Sequence, residues 1–310
     1  MNYPVTRVRS PQTFENGMNP NTTSKFLPCS KPELVGILNI TQDSFSDGGR
    51  YFTQTAAEAQ ALNLHRDGAS FVELGPASSH PDAGVVSAEE EIQRISPLLP
   101  FLASNNIRFG LDSFQPKTQI YAAEHGAAFI NDTRGFPDPK IYTRLAEHTC
   151  SLVIMHAMQA EGKADRGRHS RAEVWTHLLD FLERRIESLT DAGIAKERLI
   201  LDPGMGFFLS ADPSPSRSIL TRIPELINRF ECPLFISVSR KSFLRSIAEV
   251  AIEESDSASL AAELFSARQG VSYIRTHSPA ALSAALRIEA ALAREFAEHP
   301  FEPETPLKSQ

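Results

Sequence analysis

The chain has little cysteine: Cys29, Cys150 and Cys232 are the only three in 310 residues. Their spacing fits no thiolate metal site, and three scattered thiols do not make a disulfide framework. Cys150 and Cys232 sit beside apolar, strand-like runs and read as buried filler. No apolar run approaches the length of a membrane span, and the N-terminus lacks the continuous apolar stretch of a signal peptide. A cytoplasmic location and no membrane partner are therefore expected. Basic residues are also in deficit, 31 Lys and Arg against 38 Asp and Glu, for a formal charge of −7. That balance argues against a nucleic-acid surface and leaves room only for a local basic pocket suited to a small anion. There is no HExxH zinc motif, and no glycine fingerprint follows the first strand-like run, which weakens a dinucleotide-binding, doubly wound reading.

What is present is a repeating unit. A short β-branched or apolar run leads into a polar loop and then into a helix-length amphipathic stretch. Strands are expected at Leu34–Leu38, Ser70–Leu74, Ile107–Leu111, Ala127–Ile130, Leu152–Met155, Arg198–Leu201, Leu234–Val238 and Ser272–Arg275. Helices are expected at Thr55–Arg66, Ala88–Ala103 (capped by Ser87 with Glu90 three residues on), from Pro116 to Gly126, Trp175–Ala192, Ala258–Arg268 and Pro279–Phe296. Eight such runs alternating with helices, each nearly continuous in hydrophobicity, predict an α/β fold, the parallel TIM (β/α)8 barrel. The expected division is a flexible N-terminal extension over residues 1–32, rich in Pro, Asn, Ser and Thr, a single barrel domain over 33–298, and a tail over 299–310.

Polar residues gather at the downstream ends of these runs, where a barrel places its active site. Asn39 closes the first, Asp112 the third and Asn131-Asp132 the fourth; His156 follows the fifth, Asp202 the sixth, Arg240-Lys241 the seventh, and Arg275 with His277 the eighth. Each alone reads equally well as a cap or turn residue. Together they would face one mouth. Asp112, Asn131, Asp202 and Lys241 offer acceptors, an amide and a cation, a set suited to the amidine-like edge of a flat heterocycle. Asn39, Arg275 and His277 suit a phosphate or diphosphate. The remaining histidines, His65, His125, His148 and His299, read as surface or helix residues.

These segments, taken in order, resemble the dihydropteroate synthase family. Gly36-Ile37-Leu38-Asn39 through Asp47-Gly48-Gly49 is similar to its first signature, with Gln42 where the family normally has proline. Phe109-Gly110-Leu111-Asp112, Phe129-Ile130-Asn131-Asp132, Leu201-Asp202-Pro203-Gly204, Ser239-Arg240-Lys241 and Ile274-Arg275-Thr276-His277 match further landmarks over about residues 34–295. The resemblance implies condensation of 6-hydroxymethyl-7,8-dihydropterin diphosphate with 4-aminobenzoate, and a homodimer. It places the pterin on Asp112, Asn131, Met155, Asp202 and Lys241, and magnesium diphosphate on Asn39, Arg275 and His277, with Asn39 the protein's Mg2+ ligand. Asp112, Lys241, Arg275 and His277 would carry catalysis. Aminobenzoate would meet Ser79, Pro81, Phe207, Ser239 and Arg240. The alternatives are another pterin-binding barrel, such as a methyltetrahydrofolate methyltransferase, and a noncatalytic pterin-binding protein.

The chain departs from the family in two further places. Where the second loop usually reads Gly-Gly-Glu-Ser-Thr-Arg-Pro-Gly, it has Gly75-Pro76-Ala77-Ser78-Ser79-His80-Pro81-Asp82. After Asp202-Pro203-Gly204 it has Gly206-Phe207-Phe208-Leu209 instead of the common Gly-Phe-Gly-Lys. Both departures fall on the aminobenzoate side and resemble the sulfonamide-insensitive branch. In that reading Phe208 discriminates against the bulkier sulfonyl group.

Overall fold

The structure, a computed structural model, describes residues 31–40, 50–77, 84, 86–159 and 167–299. The expected terminal segments, 1–32 and 299–310, lie outside the described residues apart from 31, 32 and 299.

Eight parallel strands follow one another in space as they do in sequence: β1 (Glu33–Asn39), β2 (Phe71–Gly75), β3 (Phe109–Asp112), β4 (Phe129–Asp132), β5 (Ser151–Met155), β6 (Leu199–Asp202), β7 (Phe235–Ile236) and β8 (Tyr273–Thr276). β1 pairs with both β2 and β8. The circle closes through a parallel bridge between Leu201 of β6 and Leu234, just before β7. This is the (β/α)8 barrel that the alternation of runs predicts.

Side chains alternate between the barrel interior and its helical coat. One set of inward positions, Val35, Phe71, Phe129, Val153, Ile200 and Phe235 with Tyr273 against them, forms a separate apolar floor. Phe71 meets Phe129 edge-on at 5.6 Å between centroids, and Phe235 stacks on Tyr273 at 6.2 Å. Gly110 belongs to the same layer. A methyl group there would come 2.1 Å from Cζ of Phe129, so glycine is what lets the ring fill the centre. The outward faces of the strands join the larger core that the helices cover.

That coat consists of α1 (Arg50–Arg66), α2 (Ala88–Ile95), α3 (Leu99–Ser104), α4 (Pro116–Glu124), α5 (Tyr142–Ala146), α6 (Arg171–Asp191), α7 (Pro213–Thr221), α8 (Ile223–Phe230), α9 (Ser242–Ala248), α10 (Asp256–Arg268) and α11 (Pro279–Glu298). The Ser87 capping box forms as its sequence implies, with Glu90 N–H donating to Ser87 Oγ at 3.2 Å and Ser87 N–H to Glu90 Oε2 at 2.9 Å. The single helix expected over Ala88–Ala103 is broken by a 3-10 turn at Ser96–Leu98. Pro97 and Pro100 have no N–H to donate and disturb the helical ladder. α6 starts earlier than expected, at Arg171, because Ser170 and Glu173 form a second capping box. The short helices α5, α7, α8 and α9 have no counterpart among the expected elements. Cys150 and Cys232 are buried, as expected of filler residues.

Replacing Gly110 by alanine should destabilise the fold by about 1–3 kcal/mol through overpacking against Phe129. Urea denaturation would measure it, and an unchanged midpoint would show that the floor is not tightly filled.

Candidate active site

Two residues beyond the apolar floor, each strand presents its next inward side chain. Apart from Ile37, this second layer is almost wholly polar: Glu73, Asp112, Asn131, Met155, Asp202, Ser237 and Arg275 follow Phe71, Gly110, Phe129, Val153, Ile200, Phe235 and Tyr273. Register puts Asp112 beside Asn131 and Met155 beside Asp202. The barrel thus brings together residues as far apart in the chain as Asp112 and Arg275, 163 positions. Asp112, Asn131, Thr133, Met155, Asp202, Met205, Phe208, Ser237, Lys241 and Arg275 line one narrow pocket at the C-terminal mouth.

Arg275 organises this layer. Its Nε pairs with Glu73 Oε2, and its terminal nitrogen donates to Asp112 Oδ2 at 3.1 Å. Asp112 Oδ1 accepts from Asn131 Nδ2 at 3.0 Å, which leaves the buried Asn131 Oδ1 without a hydrogen-bond partner. Asp202 Oδ1 accepts from Gly204 N–H at 2.7 Å, an interaction that holds the turn after β6. Burial raises Asp202 to about 6 against the opposing pull of that N–H and of Lys241. Burial also lowers Lys241 to about 8, aided by the neighbouring Arg275 charge and countered by Asp202, Asp112 and Glu73. Glu73 is fully buried, which pushes its carboxyl upward while the guanidinium pulls it back. The mouth is therefore a largely buried charged lattice whose members depend on one another for solvation.

Five of the residues expected to hold the pterin (Asp112, Asn131, Met155, Asp202 and Lys241) line this single pocket. Asn39 ends β1 with an exposed side chain whose Oδ1 lies 3.1 Å from where a side chain on Gly75 would begin. His277 stands one layer above Arg275, its Nδ1 3.0 Å from Ser239 Oγ. Burial, with the cations Arg240, Arg275 and Lys241, lowers the His277 imidazole to about 4, so the ring is neutral near pH 7. The Ser239 hydroxyl is thus turned towards His277. Arg240 has a positive φ of 57° and is held at its backbone by Ser259 and at its side chain by Asp256 at 3.2 Å. Phe207 is half-buried at the same turn as Phe208. Phe208, expected on the aminobenzoate wall, lines the pocket itself: it packs with Met155 and Ala157, and Lys241 Nζ lies 5.1 Å from its ring centroid. Ser79, Pro81 and the first-signature stretch 41–49 lie outside the described residues.

His156, at the end of β5, faces away from this chemistry. Its ring is buried between the Pro203 carbonyl at 3.1 Å and His177 at 2.8 Å, and burial lowers it to about 3. It anchors the ends of β5 and β6. Asp132 is likewise structural, accepting from Gln119 at 2.8 Å and from Arg134 N–H at 2.8 Å. Sequence reasoning missed Glu73. Its signal was a lone carboxylate inside the otherwise apolar run Phe71–Gly75.

A parallel barrel with such a layer at its mouth is the architecture of a pterin-binding enzyme, and the sequence pattern of the family described as "Pterin binding enzyme" matches residues 35–277. The type-2 dihydropteroate synthase of Escherichia coli is 50% identical over 259 residues, covering 84% of this chain and 95% of the relative. The structure of Xanthomonas albilineans dihydropteroate synthase with 4-aminobenzoic acid superposes with a TM-score of 0.77 at 31% identity, covering 86% of this chain and 94% of the other. The same enzyme in complex with 7,8-dihydropteroate gives 0.74 at 30% identity, over 86% and 95%. The chain belongs to the dihydropteroate synthase family and is a transferase of that type.

The lattice predicts a strong coupling. Arg275→Met should cost about 3–5 kcal/mol, because it strands Glu73 and Asp112 as buried carboxylates. Adding Glu73→Leu should recover part of that loss. A urea-denaturation double-mutant cycle with additive losses would contradict the pairing.

Proposed function

We propose that this chain condenses 6-hydroxymethyl-7,8-dihydropterin diphosphate with 4-aminobenzoate, giving 7,8-dihydropteroate and diphosphate, and that it does so while rejecting sulfonamides. The observation that carries the reaction is the single pocket lined by Asp112, Asn131, Met155, Asp202, Lys241 and Arg275. Its carboxylates and the free Asn131 Oδ1 match a flat heterocycle with N–H donors along one edge, and Met155 supplies an apolar face. Bound product and bound aminobenzoate in the two Xanthomonas albilineans structures support the same substrates here.

The bond from the pterin methylene carbon to the diphosphate oxygen breaks as positive charge spreads into the ring, so the substitution is dissociative. Asp112, held by Arg275 and Asn131, favours that electron-poor ring. Arg275 and His277, at successive inward levels of β8 and the residues after it, address the departing diphosphate. The aminobenzoate nitrogen is unprotonated near neutrality and needs no dedicated base, so what the site supplies is proximity and a fixed line of approach. Ser79, Pro81, Phe207, Ser239 and Arg240 form the aminobenzoate side, with Arg240 attracting its carboxylate.

No group of three or more metal-ligating side chains occurs among the described residues. Mg2+ suits this arrangement as an ion held mainly by diphosphate oxygens and water, with Asn39 Oδ1 as the protein ligand. When bound, it would neutralise charge on the leaving group.

The test is diphosphate release with and without aminobenzoate. Aminobenzoate-dependent dihydropteroate is expected, and Asp112→Asn should lower kcat/KM by about 10²-fold or more. Release without an aminobenzoate-dependent product would reject the assignment. For sulfonamide rejection, the Phe208 ring, fixed between Met155, Ala157 and Lys241, limits the space left for a substituent larger than a carboxylate. Phe208→Gly should lower the sulfonamide inhibition constant about tenfold or more with little change in KM for aminobenzoate. Unchanged inhibition in a folded variant would sink this part.

The proposed homodimer is supported by α11. Ile288, Leu292 and Phe296, four residues apart on one face, are 62%, 65% and 50% exposed. An apolar stripe of this kind calls for a cover. Sedimentation should give a dimer that Ile288→Glu with Leu292→Glu converts to monomer. A wild-type monomer at micromolar concentration would refute it.

A further inference from the structure

The turn after β6, which carries Phe208, is held from three directions. It is a 3-10 turn over Gly206–Phe208, closed by the N–H groups of Leu209 and Ser210, which donate to the Gly206 carbonyl at 2.9 and 3.0 Å. Beyond β5, Met158 N–H donates to the Phe208 carbonyl at 2.9 Å. At the entry to α6, the Gly167 carbonyl accepts from Ala211 N–H at 2.8 Å, and His169 N–H donates to Ser210 Oγ at 3.0 Å. On α7, the fully buried Ser216 accepts from Gly206 N–H through its Oγ at 3.0 Å. Neither serine lines the charged pocket.

We propose that Ser216, together with Ser210, is a positioning residue for sulfonamide discrimination: the two hydroxyls fix the turn, and the fixed turn keeps the Phe208 ring where it limits the space for an inhibitor. A ring excludes a larger ligand only if it cannot step aside at low cost. Phe208 packs with Met155 and Ala157, and Lys241 Nζ lies 5.1 Å from its centroid. Those contacts hold the ring only as firmly as its backbone is held.

Gly206 N–H opens the turn and has no acceptor within it. The residue is buried, so the Ser216 hydroxyl stands where water would otherwise be needed. With alanine at position 216 that N–H is orphaned in the interior, a state costlier than the net worth of the lost bond. The turn regains a partner by shifting, and Phe208, two residues on, shifts with it. Ser210 acts at the other end. Its Oγ also accepts from Asp212 N–H at 3.1 Å and donates to the His169 carbonyl at 3.3 Å, so its loss loosens the turn from both α6 and the start of α7.

The effect on sulfonamides rests on the rejection proposed above, whereas the clamp on the ring does not, so the two are measured separately. The clamp is read by 19F NMR of the full-length protein carrying 4-fluorophenylalanine, with the Phe208 resonance assigned by its loss in Phe208→Leu. One environment is expected in the wild type. Ser216→Ala should add a second, or broaden the line through exchange on the microsecond-to-millisecond scale. A Phe208 resonance unaltered in folded Ser216→Ala and Ser210→Ala overturns the proposal; should Ser216→Ala fail to fold, Ser210→Ala decides it. Discrimination is read from inhibition of dihydropteroate formation by sulfamethoxazole. Ser216→Ala should lower the inhibition constant about fivefold, the scale of one hydrogen bond, while KM for aminobenzoate moves less than about twofold. In a Phe208→Gly background the same substitution should add nothing, because the ring that it frees is gone. If Phe208→Gly lowers the constant but Ser216→Ala does not, or if Ser216→Ala lowers it equally with and without Phe208, the proposal is overturned. A ring mobilised by Ser216→Ala in a chain whose Phe208→Gly variant keeps its inhibition unchanged would leave the clamp standing and refute the rejection instead.

Discussion

The guanidinium of Arg275, held inside the barrel between Glu73 and Asp112, is the constraint on which the rest of the mouth depends. Three carboxyls and two cations share a partly to fully buried layer, where each charge is costly without the others. Arg275 fixes Asp112, Asp112 orients the Asn131 amide, and Lys241 balances Asp202. Such a lattice would be a poor way to stabilise a protein for its own sake. It is a good way to offer fixed charges and unsatisfied acceptors to a polar heterocycle without reorganisation on binding.

The layer is possible because the barrel beneath it is dry and tightly filled. Gly110 gives up a side chain so that Phe129 can close the floor. Two residues further along every strand, the same inward geometry presents chemistry instead of packing. The next level again carries Ser239 and His277. Depth in the barrel thus sorts the residues into apolar packing at the floor, a charged layer above it, and Ser239 with His277 at the rim. Among the described residues that differ from the usual family pattern, Phe208 lines the charged pocket directly.

Much of this was legible in the sequence. The eight runs are apolar on both faces because each strand is buried on both, and that signature survives in a single chain. Asp112, Asn131, Asp202, Lys241 and Arg275 could be picked out because they stand at the ends of such runs. Most helices shorter than three turns were not legible; α4 was, because Pro116 starts it and Gly126 stops it. α5, α7, α8 and α9 are too short for a helical period to show, and Pro97 with Pro100 reads as one continued helix until the missing N–H groups are counted. Glu73 was missed because a strand-end rule looks past a residue in mid-strand, although a lone carboxylate in Phe71–Gly75 has nowhere to go but inward. His156 shows the opposite error: its place after β5 resembles a site position, but its ring is turned towards Pro203 and His177.

By itself, then, the sequence determined the barrel, the order of its strands and the residue types gathered at one end, because strand periodicity and strand termini are local properties. Only the tertiary structure decided which of those residues share a pocket and which serve packing. It joined Glu73 to Arg275, set Phe208 against Met155 and brought Ser239 to His277. Those contacts cross between strands and helices far apart in the chain. Their geometry is fixed by register and barrel closure, quantities that no local stretch of sequence contains.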